Sequence, residues 1–189
     1  MNSKGISIEL LDATRKVPAD ALTWIARNVD LAMRHLGCTG DVRVRVVEDA
    51  EMAQAHEEFA GVPGTTDVLT FDLTDREEQG NPPAIDLELA RLVNTPNPYG
   101  IDTDILVCLD EANRQSQLNQ VVNRGVGDPQ GPEKELLLYV LHGILHCLGM
   151  DDHEELAFEA MHKVEDGVLA AIGVGPVFKT GGSEAGSGA

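Results

Sequence analysis

Apolar and polar residues recur with two different periods along this chain, and the periods mark out its elements. Ile6-Ser-Ile-Glu-Leu-Leu11 alternates and predicts a first strand. From Val17 to Leu36 apolar residues fall at helical spacing (Leu22, Ile25, Ala26, Val29, Ala32, Met33, Leu36), and Gly37 is suited to end that helix. Val42 to Val47 alternates strictly, a strand with one polar face. Asp49 reads as the cap of a short helix from Ala50 to Phe59, broken by Gly61-Val-Pro-Gly64. Thr66 to Phe71 predicts a third strand, and the compact apolar run Ile105 to Leu109 a central one. A helix from Asp110 to about Val122 follows, then a turn-rich break from Gly125 to Pro132.

The segment from Leu136 to Leu148 is apolar at nearly every position, so its helix is buried on most sides. It opens near Pro132, a favourable first-turn residue, with Glu133 and Glu135 at its positive end. A last helix, Glu154 to Ala171, carries Met161, Val164 and Val168 on one face. The order β-α-β-α-β, then β-α-α-α, indicates a mixed α/β or α+β domain with helices on a modest sheet. One domain is expected over residues 1–175. The stretches Asp75 to Pro83 and Asn94 to Gly100 read as loops or an insertion, so 74–102 is a candidate flap. Residues 176–189, rich in small side chains, read as a disordered tail.

Composition changes this picture little. The 189 residues are 42% hydrophobic and 24% charged, and aromatics are only 4%, so the core is expected to be aliphatic. Three widely spaced cysteines, Cys38, Cys108 and Cys147, make neither a disulfide framework nor a CxxC pair and fit a reducing compartment. No signal peptide or membrane span is read, and a cytoplasmic location is expected. Charge matters more: a formal net charge of −18 argues against strong non-specific binding to nucleic-acid phosphates.

Within the buried helix, His142 and His146 stand four residues apart, which places them one above the other on a single helix face. Two polar rings in an apolar setting need partners. A divalent cation supplies one for both, and zinc at a catalytic site usually takes three protein ligands. Gly149 explains how a third could arrive, since glycine adopts the left-handed conformation that stops a helix and swings the chain back. Asp152 and His153 both follow at suitable distance, and both residue types ligate zinc. The one left over, or Asp151, would orient a ligating histidine through its other ring nitrogen. Cys147 lies on another face and reads as a core residue. Zinc peptidases of the His-Glu-x-x-His type have their general base directly after the first histidine; here that position is Gly143, which disfavours a metallopeptidase.

The segment His142-Gly-Ile-Leu-His-Cys-Leu-Gly-Met-Asp-Asp152, with Thr66-Asp-Val-Leu-Thr-Phe71 and Asp104-Ile-Leu-Val-Cys108, resembles the YbeY family from about Ile6 to Gly173. Glu135-Leu136 and Met161 also fall where the family tends to have such residues. The resemblance implies an α+β fold with a small mixed sheet of about four strands, five or so helices, and a metal site at the end of the buried helix. It implies one Zn²⁺ and a single-strand-specific endoribonuclease that uses a metal-bound water. The family acts in late rRNA maturation at the 16S rRNA 3′ end and in ribosome quality control, with rRNA precursor and the ribosomal small subunit or its proteins as partners. His142 and His146 match the family's ligands, and its third, usually histidine, falls on Asp152, with His153 as the alternative.

This chain departs from the family in two places. The Tyr-Arg pair common upstream of the third strand is Phe59-Ala60 here, and the stretch between Phe71 and Asp104 is longer than usual. A missing arginine bears on how phosphate is held, so a non-catalytic, zinc-containing ribosome assembly factor is a second reading. Phosphodiester hydrolysis needs positive charge for the developing oxyanion. Arg76, Arg91, Arg114 and Arg124 are the candidates, each also readable as surface charge. His56 reads either as a proton shuttle facing the site or as a capping residue. Thr66 and Asp67 could line the cleft, and Asp67 equally suits a turn, its side chain bonding nearby backbone N–H groups.

Overall fold

A computed structural model describes residues 5–79, 100–122, 131–175 and 177. Along the chain run β1 (Ile6–Asp12), α1 (Ala19–His35), β2 (Thr39–Val47), α2 (Asp49–Ala60), β3 (Val68–Asp72), the one-turn α3 (Arg76–Gln79), β4 (Gly100–Cys108), α4 (Leu109–Val122), α5 (Pro132–Cys147) and α6 (Glu155–Ala171). The four strands form one sheet in the order β1-β2-β4-β3. β1, β2 and β4 run parallel, and β3 pairs antiparallel with β4. The fold is α+β with a mixed four-stranded sheet, as expected.

Alternation in the strands builds the core directly. Val42, Val44 and Val46 of β2 and Ile101, Ile105 and Val107 of β4 point to the same buried layer as Ile25, Val29 and Met33 of α1. α5 lies in the middle of that layer, touching α1, β3, β4, α4 and α6. Being apolar at nearly every position, it is buried on most sides, which fixes it against these five elements. α2 covers a smaller cluster of Val47, Met52 and Cys108.

Several boundaries differ from the periodicity. β2 and β4 begin at Thr39 and Gly100 rather than at Val42 and Ile105. The polar residues that hid the start of β4 are satisfied across the sheet: Arg43 of β2 donates to Asp102 and Asp104, each at 2.5 Å. Gly40 lies inside β2 at φ +123°, where a Cβ would stand 1.9 Å from the Ile101 carbonyl oxygen. Leu109 opens α4 instead of ending the strand.

Asp49 is a further correction. It is the first residue of α2, not its cap, and Glu48 occupies the N-cap position without a side-chain hydrogen bond. The Asp49 carboxylate instead accepts from Arg114 at 2.7 and 2.8 Å, while its own backbone N–H donates to Asp110 Oδ2 at 2.9 Å. A residue sixty-one positions away therefore satisfies an orphan donor of α2. Of the candidate flap 74–102, residues 74–79 include α3 and 100–102 belong to β4; 80–99 lie outside the described residues, as do 123–130 of the turn-rich break and 178–189 of the tail.

Candidate metal centre

α5 ends in a turn that aims the following chain back at its own last histidines. The Gly149 N–H donates to the His146 carbonyl at 2.9 Å and the Met150 N–H to the Leu145 carbonyl at 3.0 Å. This pair of bonds is the Schellman closure, and Gly149 holds the left-handed φ of +89° it requires. Asp152 is thereby returned to the helix end. His142 Nε2 and His146 Nε2 stand 3.0 Å apart, with Asp152 Oδ2 3.5 Å from the first and Asp152 Oδ1 3.8 Å from the second.

The remaining hydrogen bonds orient these atoms. His142 Nδ1 donates to Glu165 Oε1 at 2.8 Å, and His146 Nδ1 to the Met150 carbonyl at 3.0 Å. Occupying both Nδ1 atoms as donors turns both Nε2 lone pairs inward. Two imidazole lone pairs and a carboxylate converging on one point suit a divalent cation. Zinc bonds of 2.0–2.1 Å at a tetrahedral angle would separate two nitrogens by about 3.3 Å, close to the spacing present. Burial pulls the His142 pKa down, but the Glu165 hydrogen bond and charge, with Asp152, outweigh it and raise it. These three side chains could hold a metal ion.

His153 is not drawn into the group. Its side chain is 83% exposed, and its Nδ1 bonds Asp151 on the outer side of the turn. His56 bonds the Gly64 carbonyl at 2.9 Å and so ties α2 to the loop that follows it. Thr66 and Asp67 do line the cavity beside the histidines. Asp67 is also a turn residue, accepting from the Val68 N–H at 2.9 Å. Arg114 is bound to Asp49 and Glu111, and Arg76 to Asp72 and the Cys147 carbonyl; Arg91 and Arg124 lie outside the described residues. Cys147 is buried, and burial pushes its thiol up to about 11, in keeping with a core role.

Gly143 faces the sheet, where a Cβ would come 2.5 Å from Thr70 Oγ1 and 3.1 Å from Ile105 Cδ1. A side chain there would have to displace Thr70 and Ile105, which disfavours a peptidase-type glutamate on steric grounds as well. The cavity measures about 590 Å³. Its described lining carries Asp67, Glu111, Glu135, Asp152 and Glu165, with His142 and His162, and no Lys or Arg.

Glu165 and His162 escape a reading by motif. Both belong to α6, some twenty residues after the histidine pair, and only the docking of α6 on α5 brings them to the site. One signal existed: Glu165 falls on the apolar face that Met161, Val164 and Val168 define, and it is 0% exposed. A carboxylate on a buried helix face needs a partner.

Comparison with known proteins identifies the family. The model of the family described as Endoribonuclease YbeY matches residues 7–173. The Endoribonuclease YbeY of Micrococcus luteus is 31% identical over 168 residues, covering 88% of this chain and 92% of that protein. That of Cyanothece sp. is 30% identical over 178 residues, covering 89% and 94%. That of Frankia alni is 33% identical over 150 residues, covering 79% and 72%. With the helix-borne histidine pair, the returning carboxylate and the mixed sheet beneath them, this chain belongs to the YbeY family.

Proposed function

We propose that this protein is a metal-dependent endoribonuclease that hydrolyses phosphodiester bonds in single-stranded RNA. The setting we propose is late rRNA maturation at the 16S rRNA 3′ end and ribosome quality control, in the cytoplasm and in contact with the small subunit. The observation that carries this reading is the convergence of His142, His146 and Asp152 at the edge of a cavity that His142 and Asp152 line, in a chain whose relatives are named endoribonucleases. In this reading the three side chains hold one Zn²⁺. Bound there, the ion supplies an acidified water and polarises a phosphodiester oxygen. Glu165 and the Met150 carbonyl keep both imidazoles in the ligating tautomer. Thr66 and Asp67 form part of the wall against which a nucleotide would lie.

A non-catalytic, zinc-containing assembly factor is the second reading, and two observations favour it. Ala60 stands where the family resemblance places an arginine, and the described cavity lining holds no Lys or Arg to meet a phosphate. One preparation separates the two. Protein of defined metal content, incubated with single-stranded RNA, is expected to cleave it, to stop on chelation, and to lose activity with His146→Ala. Bound metal without cleavage by the wild type would favour the assembly factor. A metallopeptidase is disfavoured by Gly143, and cleavage of a peptide library in the same preparation would revive it.

A further inference from the structure

His162 lies one helical turn from Glu165 on α6, and the buried carboxylate serves two rings at once. Glu165 Oε1 accepts from His142 Nδ1 at 2.8 Å, and Oε2 from His162 Nδ1 at 2.7 Å. Glu165 is fully buried, and Met161, Val164, Val168 and Leu169 seat α6 in the core, so this geometry is rigid. The Phe158 ring meets the His162 ring edge-on, centroids 4.0 Å apart, and holds its plane. An Nδ1–H committed to a carboxylate leaves Nε2 on the far side of the ring and fixes the ring's orientation. The His162 side chain is 21% exposed and lines the cavity with His142 and Asp152. His142 Nε2 is turned to His146 and Asp152, so His162 is the cavity imidazole outside the triad.

Resting on the endoribonuclease reading, we propose that His162 is the general acid of the reaction and that Glu165 is its positioning residue. When a water oxygen bonds to phosphorus, the bond from phosphorus to the leaving ribose oxygen breaks and the electron pair stays on that oxygen. The proton on His162 Nε2 passes to it, giving a free hydroxyl. The proton released by the attacking water goes to solvent, from which His162 is reprotonated. The ionisable groups that line the cavity with His162 are Glu165 on α6, which it contacts, Glu135 and His142 on α5, Glu111 on α4, Asp67 before β3, and Asp152.

The test uses the full chain loaded with zinc and three single-stranded RNA oligonucleotides. One has a natural linkage; the other two replace the 3′ or the 5′ bridging oxygen by sulfur, whose thiolate leaves without a proton. His162→Gln is expected to slow the natural linkage by about 10²–10⁴-fold and to cleave one sulfur-bridged substrate at close to the wild-type rate. Its zinc stoichiometry should equal that of the wild type. Equal slowing on all three substrates would reduce His162 to a packing role, and no slowing would remove it from the reaction; either overturns the proposal while the endoribonuclease reading stands. Loss of zinc in His162→Gln would overturn it as well, by placing the ring in the ligand set. Failure of the wild type to cleave any of the three overturns both readings together.

Discussion

Asp152 lies six residues beyond His146, across the Gly149 turn, and the path of that turn separates it from its neighbour. Asp152 faces back to the helix end, whereas His153 is carried outward to Asp151. Asp152→Ala is therefore expected to weaken zinc binding by more than about 100-fold, beyond the effect typical of an orienting partner, while His153→Ala keeps full stoichiometry. Metal content after dialysis against a weak chelator reads this out, and retention by Asp152→Ala with loss by His153→Ala would exchange the two roles. Gly143 is the other residue on which the site depends. Adding one methyl presses it into Thr70 and Ile105, so Gly143→Ala should cost about 1–3 kcal/mol of stability by overpacking. Urea unfolding measures it, and the double variant with Thr70→Ala should recover part of the loss. The histidine pair is legible in sequence because i,i+4 spacing is a local property of a helix. Glu165 is not, because nothing local marks which acidic residue of α6 meets His142.

Between elements, the clearest joint is that of α2 with α4. Asp49 binds Arg114, and Asp110 accepts from the Asp49 N–H, so α4 supplies an acceptor that the first turn of α2 lacks and an ion-pair partner for its first residue. The Arg114 hydrogen bonds outweigh desolvation and hold the Asp49 carboxyl at about 2, below its ordinary value. A carboxyl with a depressed native pKa stabilises the fold above its unfolded pKa near 4 and loses that contribution as pH falls through about 2. The pair is solvent-exposed, so the contribution is about 1 kcal/mol or less. Asp49→Asn should lower stability at neutral pH and flatten the pH dependence between 4 and 2; unfolding curves across that window check it, and an unchanged slope would contradict it. A capping residue read from sequence is a local guess, and here a partner across the fold took the side chain instead. The early start of β4 was hidden for a similar reason, since Asp102 and Asp104 are strand residues only because Arg43 lies opposite them.

At the scale of the whole molecule, the charge of −18 and the acidic cavity set the terms for any RNA partner. A basic protein with six to ten phosphate contacts loses about 10³–10⁵ in affinity between 50 and 200 mM salt. This protein is expected to lose far less, or to gain, because salt screens repulsion here; RNA-binding isotherms across that range decide it. Zinc should also stabilise the fold, since its donors come from α5 and the segment leading into α6. At a free concentration of 100 Kd, removal costs about 2.7 kcal/mol, visible as a fall in Tm on chelation. Among the described residues no helix is long and apolar enough to cross a membrane.

Local periodicity was enough to determine four strands, the long helices and the pairing of His142 with His146, because each is set by neighbours within a few residues. Gly149 likewise announced the turn that returns the chain. Tertiary structure alone decided that Asp152 rather than His153 joins them, that Gly143 is required by the sheet beneath it, and that Glu165 links two imidazoles from different helices. Those outcomes depend on how α5 and α6 dock on one another and on the sheet. Such contacts join residues distant in sequence, and a period or a short motif carries no information about them.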